Sequence, residues 1–454
     1  MLRMGCGAGF SSDRLGPAID LARDGDLDWL VFETIGERTL AFGHRDRQAD
    51  PARGYNPQLG QRMRGVLPHL QRRGTRIVTN MGVANVPAAG ALTCRIASDL
   101  GLDGLTVAII EGDDVTHLMT PDTRLFDYGD RTIAEVGRPL VGANVYLGID
   151  AILPGIEAGC DVIVTGRVAD PSLFLAPLVH QYGWARDDWA ALGRGTLVGH
   201  LMECGMQITG GYFADPGVKD VPRLADCGYP IAEVAADGTA TITKLAQSGG
   251  VVSARTVKEQ LLYEVHDPAA YLTPDVTADF SGVSVTERGG NRVAVAGATG
   301  SRRPDTLKVT VGFDGGHLGE AGVSYAGRNA LGRARLARDI LTERLSRVGG
   351  FDGAVRIDLV GVDSLHATAG RPGEDQVSAP ALDEDAIRDV RVRAAARARD
   401  REAVEMLLWE VESLLCCGPA AGGGYRGRIT PSVITHSALT ARDAVRPTCK
   451  VLRA

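Results

Sequence analysis

The residues of greatest chemical interest sit close together in 196–211, which reads TLVGHLMECGMQITGG. A helix running to about Gln207 places His200, Glu203, Cys204 and Gln207 on one face, because residues three and four apart are neighbours on a helix. Val198, Leu201 and Met202 fall away from that face. A carboxylate beside an imidazole sets the ring's tautomer and raises its basicity, so His200 with Glu203 can move protons. The same face offers Cys204 as a nucleophile four residues from a base. A satisfied polar face with a buried thiol explains the pattern equally well. A zinc site is a poorer fit, since a His–Glu pair supplies two ligands where a catalytic zinc takes three. No GxSxG elbow, Walker lysine or kinase signature occurs.

The first half of the chain contains the elements that would carry such groups to one place. Apolar runs at 29–32, 76–79, 105–110 and 161–164 alternate with helical stretches at 60–73, 88–100 and 149–158. Continuous apolar strands, each followed by a polar loop and a helix, predict a parallel sheet covered on both faces. Ligands of such sheets bind outside the carboxyl ends of the strands. Those ends here carry Glu33 and Glu37, Asn80 and Asn85, Asp113 and Asp114, Asn144 and Tyr146, and Arg167 and Asp170. Any one acidic residue there can cap the next helix, but a series of them converging with Asn and Arg predicts an active-site cleft. The glycine-rich 5–11 does not match GxGxxG, because Phe10 stands at the third glycine position, and it reads as a tight strand-to-helix turn.

The second half changes rhythm. Strand patterns at 239–244 and 284–287, with 291–295 after the turn 288–290, predict a hairpin. A strand at 308–312, a helix over 330–347, a strand at 355–360 and one or two helices over 383–415 follow. The expected organisation is therefore an α/β domain over 1–235, with a largely parallel sheet and flanking helices, and a mixed α+β domain over 236–454.

Composition narrows the class. The 454 residues carry a net charge of −7, which argues against nucleic acid or an anionic membrane as partner. No apolar run approaches the roughly 18 residues of a membrane span, and 1–5 does not read as a signal peptide, so a cytoplasmic location is expected. None of the eight cysteines forms a CxxC pair, which speaks against a disulfide framework or zinc ribbon. Aromatic residues are only 5%, so an apolar substrate pocket is expected to be mainly aliphatic. Lysines are few, which draws attention to Lys258 and Lys308 inside dense motifs.

Taken together, the motifs resemble the acyclic terpene utilisation family, the AtuA-like proteins. The resemblance rests on 28–37, on Asn80 with Asn85, and on Gly112-Asp113-Asp114. It continues through 143–148, Thr165-Gly166-Arg167 with Asp170, the segment Gly199-His200-Leu201-Met202-Glu203-Cys204-Gly205, and Thr209-Gly210-Gly211. The stretches 256–264, 267–275 and 303–309 extend it over much of the chain. The loop Phe32-Glu33-Thr34 departs from the family's acidic–aromatic pattern, and no segment of the sequence is expected to form the small ferredoxin-like domain that longer members append. The resemblance implies a branched or unsaturated acid as substrate, as its CoA thioester.

The expected activity is proton transfer next to a carbonyl, of hydratase, dehydratase or lyase type. His200 would be the acid or base, oriented by Glu203, with Asp170 beside them. Arg167 would bind a carboxylate in bidentate fashion, and Asn80 or Asn144 would hold the developing enolate oxygen. Asn85, Tyr146, Thr209 and Gly210 are the remaining candidate substrate contacts. Asp113 and Asp114 would provide a second proton site or hold magnesium through oxygen ligands. No other cofactor is expected beyond CoA as part of the substrate, and the partners would be that small molecule and further copies of the chain in a homo-oligomer. The alternatives are a Cys204-dependent acyl or CoA transferase and a non-catalytic subunit of an acyl-CoA enzyme. Cys204→Ala separates the first two: covalent acylation would disappear under the transfer mechanism, whereas most activity would survive under the acid–base one.

Overall fold

A computed structural model describes residues 1–70, 74–364 and 386–454. The chain divides into two compact units, Met1–Gly312 with Thr435–Ala454, and Phe313–Ile434. Residue 235, where a boundary was expected, lies in the turn joining Pro230–Val234 to Ala240–Lys244, two antiparallel strands of one sheet.

The first unit is built on a ten-stranded sheet. At its centre Leu2–Ala8, Trp29–Phe32, Arg76–Thr79, Val162–Thr165 and Thr106–Glu111 lie side by side in that order, all parallel. Successive residues of a strand face opposite sides, and here both sides are covered. Leu30, Phe32, Ile77, Val107, Val162 and Val164 pack in one core with Leu21, Met63, Val66 and Ile96 from helices Gly16–Asp24, Leu59–Leu70 and Val86–Asp99. The intervening Val31, Val78, Ala108 and Ile163 are equally buried. Gly155, in helix Ile149–Glu157, backs directly onto Ala108 and Ile163, and helices Ser172–Tyr182 and Trp189–Glu203 pack on in succession. Burial on two faces is why these strands read as unbroken apolar runs. Antiparallel strands extend both edges: 230–234, 240–244, 292–296 and 284–289 on one side, and Thr448–Arg453 beside Thr106–Glu111 on the other.

The second unit pairs Arg356–Val360 with Asp389–Ala398, and the latter with the later residues of strand Thr306–Ala326, all antiparallel. Helices Ala330–Val348 and Arg401–Cys417 bury Leu331, Leu341, Leu407 and Leu414 against Val323, Tyr325 and Val392 of these strands. The expected helix over 383–415 is therefore half wrong. Residues 383–385, like 71–73 at the end of the expected helix 60–73, lie outside the described residues, and 389–398 is a strand. Its alternation of buried Val390, Val392, Ala394, Ala396 and Ala398 with Arg391, Arg393 and Arg397 has the period of a strand. The helix-favouring alanines and arginines concealed that period.

The amino-terminal glycines serve packing. A Cβ on Gly7 would lie 2.5 Å from the Phe32 ring, and one on Gly9 would lie 2.3–2.5 Å from backbone atoms of Glu203, Cys204 and Gly205. The first strand's end is thus pressed against the end of the helix that carries His200. Backbone cannot yield as a side chain can, so Gly9→Ala should destabilise the protein by about 1–3 kcal/mol, read as a lower urea midpoint, while Gly16→Ala, which meets nothing within 4 Å, should not.

Candidate active site

The carboxyl ends of the parallel strands and the end of helix Trp189–Glu203 enclose a cleft of about 980 Å³. Its wall contains Glu33, Glu37, Tyr146, Arg167, Asp170, Glu203, Cys204, Glu264 and Lys308. Five of these are carboxyl groups and two are cations.

Arg167 is the centre of the arrangement. It follows strand Val162–Thr165, is 3% exposed, and lies over the Tyr146 ring at 3.9 Å from the centroid. Nη1 donates to the Ile35 carbonyl at 2.5 Å and contacts Asp170 Oδ1 at 3.1 Å, and Nη2 donates to Asp170 Oδ2 at 3.4 Å. Burial works against the charge, but Asp170, Tyr146, Glu33 and Glu37 hold the group cationic.

Glu33 begins the loop after strand Trp29–Phe32, and its Oε1 accepts from Ile35 N–H at 2.8 Å and Asn80 Nδ2 at 3.0 Å. Asn80 in turn accepts from Thr34 N–H at 2.8 Å, so it shapes the Glu33 loop from behind. Burial and the neighbouring Asp170 push Glu33 well above the carboxylate range, against the pull of Arg167. Burial raises Asp170 as well. Glu37 behaves oppositely. Although burial opposes its ionisation, Arg167, the Tyr146 hydroxyl at 2.8 Å and Lys308 at 3.3 Å bring it down to about 2. Anionic Glu37 therefore lies in the same wall as carboxyls whose ionisation burial opposes.

Helix Trp189–Glu203 delivers His200 and Glu203 as its last turn, and Cys204 follows as its cap. His200 Nδ1 lies 3.2 Å from Glu203 Oε1, and Nε2 lies 3.2 Å from the Leu261 carbonyl. The ring is 1% exposed, packed in a three-ring cluster with Tyr271 and Phe280, and burial lowers its pKa to about 4. His200 thus stands behind the wall, and Glu203 is the member of the pair that reaches the cleft. Burial, reinforced by Asp170 and Glu264, holds Glu203 well above its usual value. Cys204 lines the cleft too, but burial and Glu203 push its thiol far above the ordinary range, the reverse of what activates a nucleophilic cysteine.

The other expected residues are supports. Asp113, 5% exposed, accepts through Oδ2 from Arg167 N–H at 2.7 Å and from Asn144 Nδ2 at 2.8 Å. Asn144 accepts from His44 Nε2 at 2.5 Å, which makes a polar chain beneath the Arg167 loop. Asp114 accepts from Thr116 N–H and Oγ1, so the two aspartates face different partners. Among the described residues no group of three or more His, Cys, Asp or Glu is placed to hold a metal ion. Asn85 caps helix Val86–Asp99 and donates to the carbonyls of Pro51 and Arg53. Thr209 donates to the Gly228 carbonyl at 2.6 Å, and Gly210 takes φ +112° where a Cβ would meet Val221.

Glu264, Tyr263 and the exposed Phe10 and Tyr212 were not singled out as site residues by sequence reasoning. Glu264, with φ 58°, ends the dense stretch 256–264, which was the available signal. The apolar part of the wall is Phe10, Tyr212 and Tyr263 with Ile35, Met206 and Leu224, so it is more aromatic than the expected aliphatic lining.

A charged cleft outside the carboxyl ends of a parallel sheet defines a mixed α/β protein with its candidate site on strand-end loops. The model of the acyclic terpene utilisation family protein AtuA matches residues 2–451, and the chain belongs to that family. No curated protein and no solved structure matches it. Among the described residues no helix is long and apolar enough to cross a membrane.

Burial raises Asp113 to about 6. A folded state that prefers the protonated acid gains stability as pH falls from about 6 towards 4 and carries the full penalty above 6. Going from pH 7 to pH 4.5, wild type should therefore gain about 2 kcal/mol relative to Asp113→Asn, measured by urea unfolding at the two pH values.

Proposed function

We propose that this protein is an enzyme acting on a small carboxylic acid or its thioester by proton transfer beside the carbonyl. One observation carries the reading: Glu33, Asp170 and Glu203 share the single buried guanidinium of Arg167 in the wall of one cleft. One cation cannot balance three carboxylates, of which Glu33 and Glu203 are buried and Asp170 is half-buried, so desolvation and mutual repulsion favour protonated forms in the set. Carboxyls held protonated beside ionised ones are how a site obtains a general acid and a base together. Glu33 is the group that would exchange protons with the substrate, and Glu203 would hydrogen-bond it. Lys308, whose ammonium has donors beyond the one given to Glu37, would supply a hydrogen bond to an oxygen that gains negative charge.

A hydratase, dehydratase or lyase fits this inventory, and a branched acyl chain suits the aromatic mouth formed by Phe10, Tyr212 and Tyr263. The half-buried thiol of Cys204, whose ionisation desolvation and Glu203 oppose, disfavours acyl or CoA transfer through that residue. The convergence of buried carboxyls in an accessible cleft gives an accessory subunit no explanation.

The chemistry can be tested before the natural substrate is known. In D₂O, wild type should exchange the α-hydrogens of 3-methylbutanoyl-CoA or the free acid, followed by proton NMR. Glu33→Gln should slow that exchange by about 100-fold or more, while Cys204→Ala should leave most of it. Exchange unaffected by Glu33→Gln, or lost only in Cys204→Ala, would overturn the proposal. A thermal-shift comparison of the two compounds separates thioester from acid: a ligand at a hundred times its Kd stabilises by about 2.7 kcal/mol.

A further inference from the structure

Three atoms in the site's wall are buried with no hydrogen-bond partner among the described residues: Arg167 Nε, Glu203 Oε2, and Asp170 Oδ1, which keeps only its ion pair with Arg167 Nη1. Buried polar atoms are normally paired, so unpaired ones at a cleft point to a ligand that completes them. What Glu203 Oε2 would accept or donate depends on where the carboxyl proton lies, and the surroundings of His200 determine that.

The Leu261 carbonyl can only accept, so His200 Nε2, 3.2 Å away, carries a hydrogen and donates it. In a neutral ring the other nitrogen, Nδ1, is then a lone-pair acceptor. Its partner at 3.2 Å is Glu203 Oε1, and two acceptors do not bond, so Oε1 must carry the proton. An imidazolium–carboxylate pair would satisfy the same two distances, but it would leave Oε2 as an unpaired anionic oxygen near Asp170 and Glu264. It would also charge a ring that is 1% exposed and packed against both Tyr271 and Phe280. Burial lowers His200 and raises Glu203, so both are driven towards the neutral forms. Gln260 closes the assembly by donating from Nε2 to the His200 carbonyl at 3.2 Å.

We propose that the Glu203 proton sits on Oε1 and is donated inward to His200 Nδ1, so that the oxygen left for the ligand, Oε2, is a carbonyl-type acceptor and the cleft selects acids that bear a hydroxyl group. A ligand hydroxyl completes Oε2, whereas the same acid without one leaves it unpaired. A site built to receive a hydroxyl rejects the analogue lacking it more strongly than an apolar pocket discriminates by a methylene. His200 is on this account a positioning residue: it turns the carboxyl, and it does not touch the ligand.

The ligand class rests on the acid-binding reading above, whereas the placement of the proton does not, and the two are tested separately. The ring nitrogens of histidine-labelled protein, observed by ¹H–¹⁵N NMR at pH 7, should show His200 as the neutral Nε2–H tautomer. The resonance is assigned by its loss in His200→Gln or, should that variant not fold, by its shift in Glu203→Gln. An Nδ1–H tautomer or an imidazolium would overturn the proposal.

For binding, 3-hydroxy-3-methylbutanoate is compared with 3-methylbutanoate by titration calorimetry. Wild type should favour the hydroxy acid by about tenfold or more. Glu203→Gln should keep that preference to within about threefold, because an amide can donate to Nδ1 and present its oxygen just as the protonated acid does. Glu203→Leu should abolish it. Equal affinities in wild type, or a preference lost in Glu203→Gln, would overturn the hydroxyl selection. If neither acid binds, the hydroxy-acid selection and the acid-binding reading both fall, and the ring nitrogens still decide the proton's position.

Discussion

The site depends on one buried cation amid several carboxyls. Arg167 is held by the Ile35 carbonyl, by Asp170 and by the Tyr146 ring, and its own backbone N–H is anchored by Asp113. Removing a lone partner from a buried ionic group is far more damaging than deleting an exposed ion pair. The protonation of Glu33, Glu37, Asp170 and Glu203 is thus conditional on that guanidinium. Glu37, which also has Tyr146 and Lys308, ionises readily, while Glu33, Asp170 and Glu203 are left short of positive charge.

The backbone makes such crowding feasible. Parallel strands bring their carboxyl ends to one edge of the sheet, so loops that are remote in sequence meet there without long insertions. Close approach then needs residues without side chains. Gly9 backs onto the end of the His200 helix, and a Cβ on Gly166 would lie 2.4 Å from Asp113 Oδ2. These two glycines are as much part of the site as the groups they admit.

Much of this was legible in the sequence because two-sided burial writes itself as uninterrupted apolar runs, and because strand ends are marked by polar residues beside glycine. The His200–Glu203–Cys204 face followed from helical spacing alone. Which member of that face meets the cleft did not, because it depends on Leu261, Tyr271 and Phe280, all distant in the chain. Asn85 and Thr209 looked like ligand contacts for the same reason: a polar residue near a strand end or turn serves as readily for a cap as for a substrate. Strand 389–398 was lost to composition, since alanine and arginine favour a helix until the alternation of buried positions is seen.

The division of the chain bears on how the protein reaches its native state. Phe313–Ile434 is inserted within the sequence of the other unit, whose sheet acquires the edge strand Thr448–Arg453 from beyond that insertion. Its neighbour, Thr106–Glu111, is made far earlier, and pairing across so large a sequence separation is slow because loop-closure entropy is spent before any contact is gained. During synthesis the outer flank of Thr106–Glu111 therefore stays open until the last strand emerges, a long interval in which an unpaired strand edge is available to other chains. A chaperone that shields this edge would raise the yield of native protein without altering its final stability.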